Sequence, residues 1–330
     1  MTTERNPGAP TGKMAPRALE EHILAFRGTP REDVLVGPAV GEDAAVIALP
    51  GGPFLVAASD PVVGAAKGAG RLLVHVNAND VASKGGEPAY LLVTMILPRS
   101  MTERDAAAFM KEMHEACLEL NIAIVGGHTE FSDRYAAPVL SGTLLGYAER
   151  CLRAEEMRPG DVLLMTKHVG LEGMSILAAD RPDLLTACCT QEEIREIRSW
   201  GDSLSVLPEA RILRPWTRFL HDPTEGGFLG GLGELARLSR AEVRLLPETV
   251  TVHPLTRRCA QTLAFDPLHL ISSGVLLAVL PPEHLDEAGR CLSGAGIPFS
   301  VVGSLVETGG NVPFDAREEL WRLLVLEVPR

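Results

Sequence analysis

A chain of 330 residues is long for one hydrophobic core and predicts two domains of ordinary size. Hydrophobic residues make up 46% of it and charged residues 22%, a globular balance, while a formal charge of -12 argues against broad attachment to nucleic acid or an anionic membrane. With no apolar run of membrane-spanning length, no signal-peptide core and only 5% aromatic residues, the expectation is a cytoplasmic protein with neither nucleic-acid nor membrane partners.

Residues 1–17, rich in Pro, Gly, Thr and charge, read as a flexible arm. A short helix is expected from Leu19 to Arg27, then strands from Ala44 to Leu49 and Phe54 to Ala58 around a Pro-Gly-Gly turn. After Gly70, apolar side chains at Leu72, Leu73, Val76 and Val81 predict a helix. Ala89 to Leu97 is the next strand, and Thr102 with Asp105 three places on has the form of a capping box for a helix reaching about Leu120. IAIVGG and PVLSGTLLGYA add strands. The polar joint AERCLRAEEMRPGD, near residues 148–161, separates domains expected at 18–150 and 151–330.

The second half repeats the mixed grammar: DVLLMTK as a strand, a helix-rich stretch from Leu171 to about Arg211, a glycine loop with its helix, then a strand at LISSGVLLAVL, a helix from Pro282 to Leu292 and a strand at PFSVVGSL. Strands come in adjacent pairs as well as alternating with helices, which gives mixed α/β architecture rather than a doubly wound parallel sheet. The six cysteines, Cys117, Cys151, Cys188, Cys189, Cys259 and Cys291, include no CxxC pair and predict neither a zinc cluster nor a disulfide framework.

Three segments of the first half set acids beside small residues: GEDAAVI, ASDPVV and NANDVASKGGEP. Asp43, Asp60 and Asp80 each fall at an expected strand or helix boundary, where a carboxylate can project into a cleft. Any one of them also serves as an ordinary cap. Together they suit magnesium, which takes hard oxygen ligands and keeps waters and substrate phosphates in its shell. GGHTE, Gly126 to Glu130, places paired glycines after a strand, with His128 able to touch phosphate or metal or simply to hydrogen-bond locally. Lys84, before Gly85-Gly86, offers a cation.

In the second half HDPTEGGFLGGLGELA sets an acid, a proline, a threonine and paired glycines before an apolar helical stretch. Tight turning and unpaired N–H groups at a helix start allow an anion to bind there, and a plain capped helix fits as well. Neither the P-loop nor the dinucleotide GxGxxG pattern matches.

Taken in order, GEDAAVI, SDP, NANDVASKGGEP, GGHTE and HDPTEGG resemble the aminoimidazole ribonucleotide synthetase (PurM-like) superfamily, which includes thiamine-monophosphate kinase, selenophosphate synthetase and the hydrogenase-maturation protein HypE. The resemblance spans about residues 20–305, and DPTEGG is most similar to the HypE group. It implies a mixed α/β, two-domain fold, a homodimer whose N-terminal domains form a β-barrel, and ATP with Mg2+ near the dimer cleft. By motif, it implies metal-side roles for Asp43, Asp60, Asp80 and Glu42, and nucleotide or phosphate contacts for Asn77, Asn79, Gly126, Gly127, His128, Thr129, Gly226 and Gly227. Asp222, Thr224 and Glu225 become catalytic-cleft residues. The implied chemistry is ATP-dependent phosphorylation of an amide or carboxamide-type oxygen on a small molecule or a protein-borne acceptor.

The sequence departs from each group. HypE carries its substrate on a C-terminal cysteine, whereas this chain stops at Val328-Pro329-Arg330; selenophosphate synthetase needs a reactive residue near the N-terminus, and the first cysteine here is Cys117. Thr224-Glu225-Gly226 does not match the Ser-Asp-Gly motif of thiamine-monophosphate kinase. The expectation is a HypE-like ATP-using enzyme, with a nucleotide-binding dimeric scaffold without turnover and a thiamine-monophosphate kinase as alternatives.

Overall fold

The computed structural model describes residues 11–63, 65–312 and 317–327. Residues 1–10 of the expected arm and the Val328-Pro329-Arg330 ending lie outside them. The first half runs α1 (Pro16–His22), β1 (Val34–Val36), β2 (Ala45–Ala48), β3 (Phe54–Val62), α2 (Ala69–Ser83), β4 (Glu87–Pro98), α3 (Glu103–Leu120), β5 (Ala123–Ser132) and β6 (Val139–Ala148). Its strands form one sheet in the order β1-β2-β3-β6-β4-β5, antiparallel except between β4 and β5.

The second half runs β7 (Val162–Thr166), α4 (Leu171–Asp180), α5 (Pro182–Leu185), α6 (Gln191–Ser199), α7 (Leu207–Leu213), β8 (Phe219–His221), α8 (Gly227–Ser239), β9 (Glu242–Leu245), α9 (Pro254–Leu263), β10 (Leu277–Leu280), α10 (Leu285–Gly294), β11 (Phe299–Val306) and α11 (Leu320–Leu324). Its five strands are ordered β8-β10-β7-β11-β9, antiparallel throughout. The mixed α/β class expected from sequence is the class observed.

The helix α2 decides where the site lies. Every residue but Arg71 is buried, because the helix packs on β3, β6 and α3 and also meets α7 and β8 of the second half. A helix buried all round must satisfy its polar side chains internally, and α2 does so at Asn77 and Asn79, though both ring nitrogens of buried His75 find no partner among the described residues. Asn77 accepts from the Asp60 N–H (3.0 Å) and donates to the carbonyls of Asp60 (3.2 Å) and Leu73 (2.9 Å). Asn79 donates to the Leu204 carbonyl (2.9 Å) and accepts from the Val206 N–H (2.9 Å), so it clamps the second half to the first. One core cluster accordingly runs from Val36 to Leu323 through both halves.

Several expectations change. The first helix is Pro16–His22 rather than Leu19 to Arg27, and it begins within the stretch expected as an arm. β3 continues to Val62, so Asp60 lies inside a strand; beyond Ala57 that strand pairs with β6 alone, and Asn77 takes the place of a neighbour on its open side. GGHTE is not a turn after a strand but the middle of β5. Of Leu270 to Leu280 only the last four residues form a strand, because the buried segment before them is held by side chains: Ser272 accepts from the Gly170 N–H (2.8 Å) and Thr166 from the Leu276 N–H (3.1 Å).

Candidate functional site

Four carboxylates, two on regular elements and two in loops, face each other where the halves meet. Asp43 precedes β2, Asp60 is on β3, Asp80 is on α2 and Asp222 follows β8. Burial drives the Asp80 carboxyl well above the usual range, and the charges of Asp60, Asp43 and Asp222 push it further. Asp222 is raised in the same way, by burial first and then by Asp43 and Glu172. Neither of its buried oxygens has a hydrogen bond of normal geometry among the described residues, and the second N–H of the nearby Asn79 amide, not used by Leu204, pulls the carboxyl the other way. Asp60 is raised by burial against the opposing pull of Lys13.

Such a cluster costs free energy unless a cation answers it. The structure supplies part of the answer. His221 Nδ1 lies 2.9 Å from one oxygen of Asp43 and 3.1 Å from the other, and its Nε2 donates to Glu234 on α8 at 2.9 Å. Burial alone would lower the imidazole, but the two carboxylates outweigh it and hold it at about 10, so His221 is an imidazolium at neutral pH. Burial would likewise raise Asp43, and His221 instead holds it below its ordinary value.

Lys13 adds a second charge. Half exposed, it reaches Glu234 with its ammonium (3.5 Å) while its own N–H donates to Glu225 (2.5 Å). Desolvation lowers it, but Glu234, Asp43, Asp60 and Glu225 together raise it. This residue belongs to the segment expected to be a flexible arm. No sequence signal beyond Gly12-Lys13 marks it, whereas Glu234 is visible in retrospect as the lone acid in the apolar run FLGGLGELA.

Glu42 differs from the other acids. Its carboxylate pairs closely with Lys84, which is fully buried and lies 4.1 Å from the centroid of the Phe219 ring on β8. Lys84 and Glu42 therefore form a neutralised pair within the first half, with Lys84 also reaching Phe219 of the second, and the expected metal-side role of Glu42 does not suit a carboxylate so engaged.

In the loop after β8, Gly226 and Gly227 have φ of 88° and 64°, and a Cβ on Gly227 would stand 2.6 Å from the Leu268 carbonyl oxygen, which requires glycine. The Gly226 N–H at the head of α8 already donates to Glu318 at 2.7 Å. That carboxyl is pushed up to about 7 by burial, against the pull of the Leu320, Gly226 and Ile271 amides, and the neighbouring Glu172 likewise to about 7 by burial. The N-cap N–H of α8 is thus taken by a carboxyl of the same protein. Thr224 and Glu225 are half-buried beside it.

The structure does not bring GGHTE to these acids within one chain. Asp60, Gly142, Val93 and Gly127 stand in register on adjacent strands, and three strand spacings put Gly127 about 14 Å from Asp60. Gly126, Gly127, His128 and Thr129 are all exposed, and His128 meets Glu130 at 3.2 Å.

Among the described residues no three carboxylate or imidazole ligand atoms lie within 4.8 Å of one another; three cysteine sulfurs do, Cys188, Cys189 and Cys259, contrary to the scattered thiols expected. The acids thus form a loose cluster rather than a closed cage. That suits an ion completing its shell with phosphate oxygens and water, and the orphaned Asp222 oxygens supply hard donors for it.

Residues 41–148 match the family described as AIR synthase related protein, N-terminal domain, and residues 158–315 match AIR synthase related protein, C-terminal domain. The chain belongs to the AIR synthase related family. All four clustered aspartates lie within the matched segments. This AIR synthase related chain is similar to carbamoyl dehydratase HypE of Cupriavidus necator, 28% identical over 281 residues that cover 82% of this chain and 78% of that one. It is similar over more of its length to selenide, water dikinase of Nitratidesulfovibrio vulgaris (strain Hildenborough), 27% identical and covering 95% and 97% of the two chains. Among solved structures, hydrogenase maturation protein HypE in complex with ATP shares the fold with a TM-score of 0.67 at 24% identity, covering 91% of this chain and 88% of that one.

Proposed function

We propose that this protein is an ATP- and Mg2+-dependent enzyme that activates a carboxamide-type oxygen by phosphoryl transfer, the reading most in keeping with its carbamoyl dehydratase relatives. The observation that carries it is the Asp43, Asp60, Asp80 and Asp222 cluster, buried between the halves with unpartnered Asp222 oxygens. Asp80 and Asp222 would hold the magnesium, with Asp60 at the rim. When bound, magnesium supplies neutralisation of phosphate charge. Asp43, held ionised by His221, fixes the electrostatics behind the cluster, and Lys13 sits at its mouth to meet the nucleotide's negative charge.

The acceptor oxygen would take the γ-phosphoryl group of ATP with ADP leaving; the amide nitrogen then gives up its two protons and forms a C≡N bond as the C–O bond breaks and phosphate departs with the oxygen. Thr224 and Glu225 line the cleft on the side of the second half, where a carboxyl near neutrality such as Glu172 or Glu318 can accept or give up a proton. Asn77 and Asn79 are assigned positioning roles through Asp60 and the Leu204–Val206 backbone. A homodimer through the first sheet would add Gly126, Gly127, His128 and Thr129 of a second copy to the cleft.

Calorimetric titration with ATP, with and without magnesium, tests the reading. Magnesium-dependent binding near one ATP per chain is expected, and Asp80→Asn should weaken it at least about tenfold, the loss of one charged ligand interaction. No binding at millimolar ATP, or unchanged affinity in Asp80→Asn, would overturn the assignment. ADP release with a panel of carboxamides then identifies the acceptor.

A further inference from the structure

Away from the acidic cleft, three sulfurs from two segments converge. Cys188 and Cys189 lie in the turn between α5 and α6, directly before the Thr190 cap of α6, and Cys259 lies midway along α9. Cys259 Sγ is 3.4 Å from both Cys188 Sγ and Cys189 Sγ, and the vicinal pair is 4.0 Å apart. The geometry points to a thiolate site in which Cys188, Cys189 and Cys259 hold one soft d10 cation, zinc(II) or copper(I).

Distance, charge and access each support it. A point equidistant from the three sulfurs lies about 2.1 Å from each, and a small step out of their plane gives a metal–sulfur distance of about 2.3 Å. No rearrangement of the backbone is needed. Arg258 Nη2 lies 3.8 Å from Cys189 Sγ, where a cation opposes the accumulated negative charge of the sulfurs. Arg258 is itself fixed by Glu193 at 2.6 Å, and Glu193 accepts from the Thr190 N–H at 2.8 Å in the capping box of α6. The outer partners of the sulfurs are therefore ordered by the same contacts that start the helix, as second-layer partners of metal ligands are.

Cys189 and Cys259 are buried, while Cys188 is half-buried and opens a path to solvent. Through that opening water can complete a four-coordinate zinc shell, and copper(I) is satisfied by the three sulfurs. Binding forms three metal–sulfur bonds and releases the three thiol protons to buffer, with no change in oxidation state. Soft sulfur ligands separate this site from the oxygen-lined cleft, so magnesium and the soft ion do not compete. A bound ion would tie the α5–α6 turn to α9 across about seventy residues of chain.

The test uses the whole chain, reduced and kept free of oxygen, titrated with zinc(II) and separately with copper(I) in a chelator buffer. One ion per chain by native mass spectrometry is expected for at least one metal, with Cys188, Cys189 and Cys259 shielded from alkylation on peptide mapping. The relative affinities name the ion. Cys188→Ser, at a half-buried position where no large cavity opens, should weaken binding at least about tenfold and leave magnesium-dependent ATP binding unchanged. Cys291→Ser, a thiol outside the trio, should bind as the parent does. Absence of a bound ion at micromolar free metal overturns the site, and so does stoichiometric metal that survives Cys188→Ser with the three thiols still open to alkylation.

Discussion

At the scale of single residues, the site is governed by which buried charges have partners. His221 stands between Asp43 and Glu234, and its raised pKa makes its stabilising contribution dependent on pH. Because the folded value of about 10 exceeds the ordinary 6.5, that contribution is full below about pH 6.5 and is lost as pH rises through the folded value. His221→Leu, which leaves buried Asp43 without its imidazolium partner and Glu234 with Lys13 alone, should destabilise the fold by about 3–5 kcal/mol at neutral pH. Urea unfolding of both proteins from pH 6 to pH 10 checks this: the gap should narrow steadily toward pH 10, and a pH-independent gap would mean that His221 acts by packing alone. Lys13 shows the limit of sequence reading at this scale. A lysine in a Pro- and Gly-rich arm has no periodicity to place it, and its role comes from acids at positions 43, 60, 225 and 234 that only the fold assembles.

At the scale of elements, long periodic segments were legible and short or buried ones were not. The Thr102–Asp105 capping box starts α3 as expected, and the alternating β4 and β6 lie where their apolar patterns place them. The three- and four-residue strands β1, β8 and β9 carry too few residues to show a period. An apolar run such as Leu270 to Leu280 reads alike as strand or buried loop, and side-chain hydrogen bonds from Ser272 and Thr166 decide for the loop. The cysteine trio was hidden for a related reason: its members come from a vicinal pair and a helix about seventy residues later, which no local spacing rule joins.

The glycines of β5 were read for chemistry, and the structure gives one of them a packing reason as well. Gly127 has φ of 147°, and a Cβ there would stand 1.8 Å from the Val93 carbonyl oxygen, whereas at Gly126 it would meet only the Leu92 side chain at 3.4 Å. Gly127→Ala should therefore cost at least about 1–3 kcal/mol, the usual price of overpacking, and Gly126→Ala less. Comparing the two urea midpoints tests the argument, since equal losses would point to backbone conformation rather than to the contact with β4.

At the scale of the whole molecule, the first sheet has one face covered by α2 and α3 and another left open. Tyr90 and Leu92 on β4 are 40% and 39% exposed, Tyr147 on β6 is 40% exposed with its ring edge-on to Tyr90 at 6.3 Å, and β5 is an exposed edge strand of ten residues. An uncovered apolar face beside a long open edge is a surface on which another chain can pack. If a second copy covers it, the glycine pair that lies about 14 Å from Asp60 within one chain can serve the cleft of its neighbour. Leu92→Lys places a charge on that face without disturbing the buried side of β4, so it should leave the fold intact and shift a dimer to monomer in sedimentation at micromolar concentration. ATP affinity should fall with the dimer, because the acids and the β5 residues would then no longer share a cleft. A Leu92→Lys protein that is monomeric yet binds magnesium-ATP like its parent would place the whole nucleotide site within one chain, and the β5 residues would be left with a structural role.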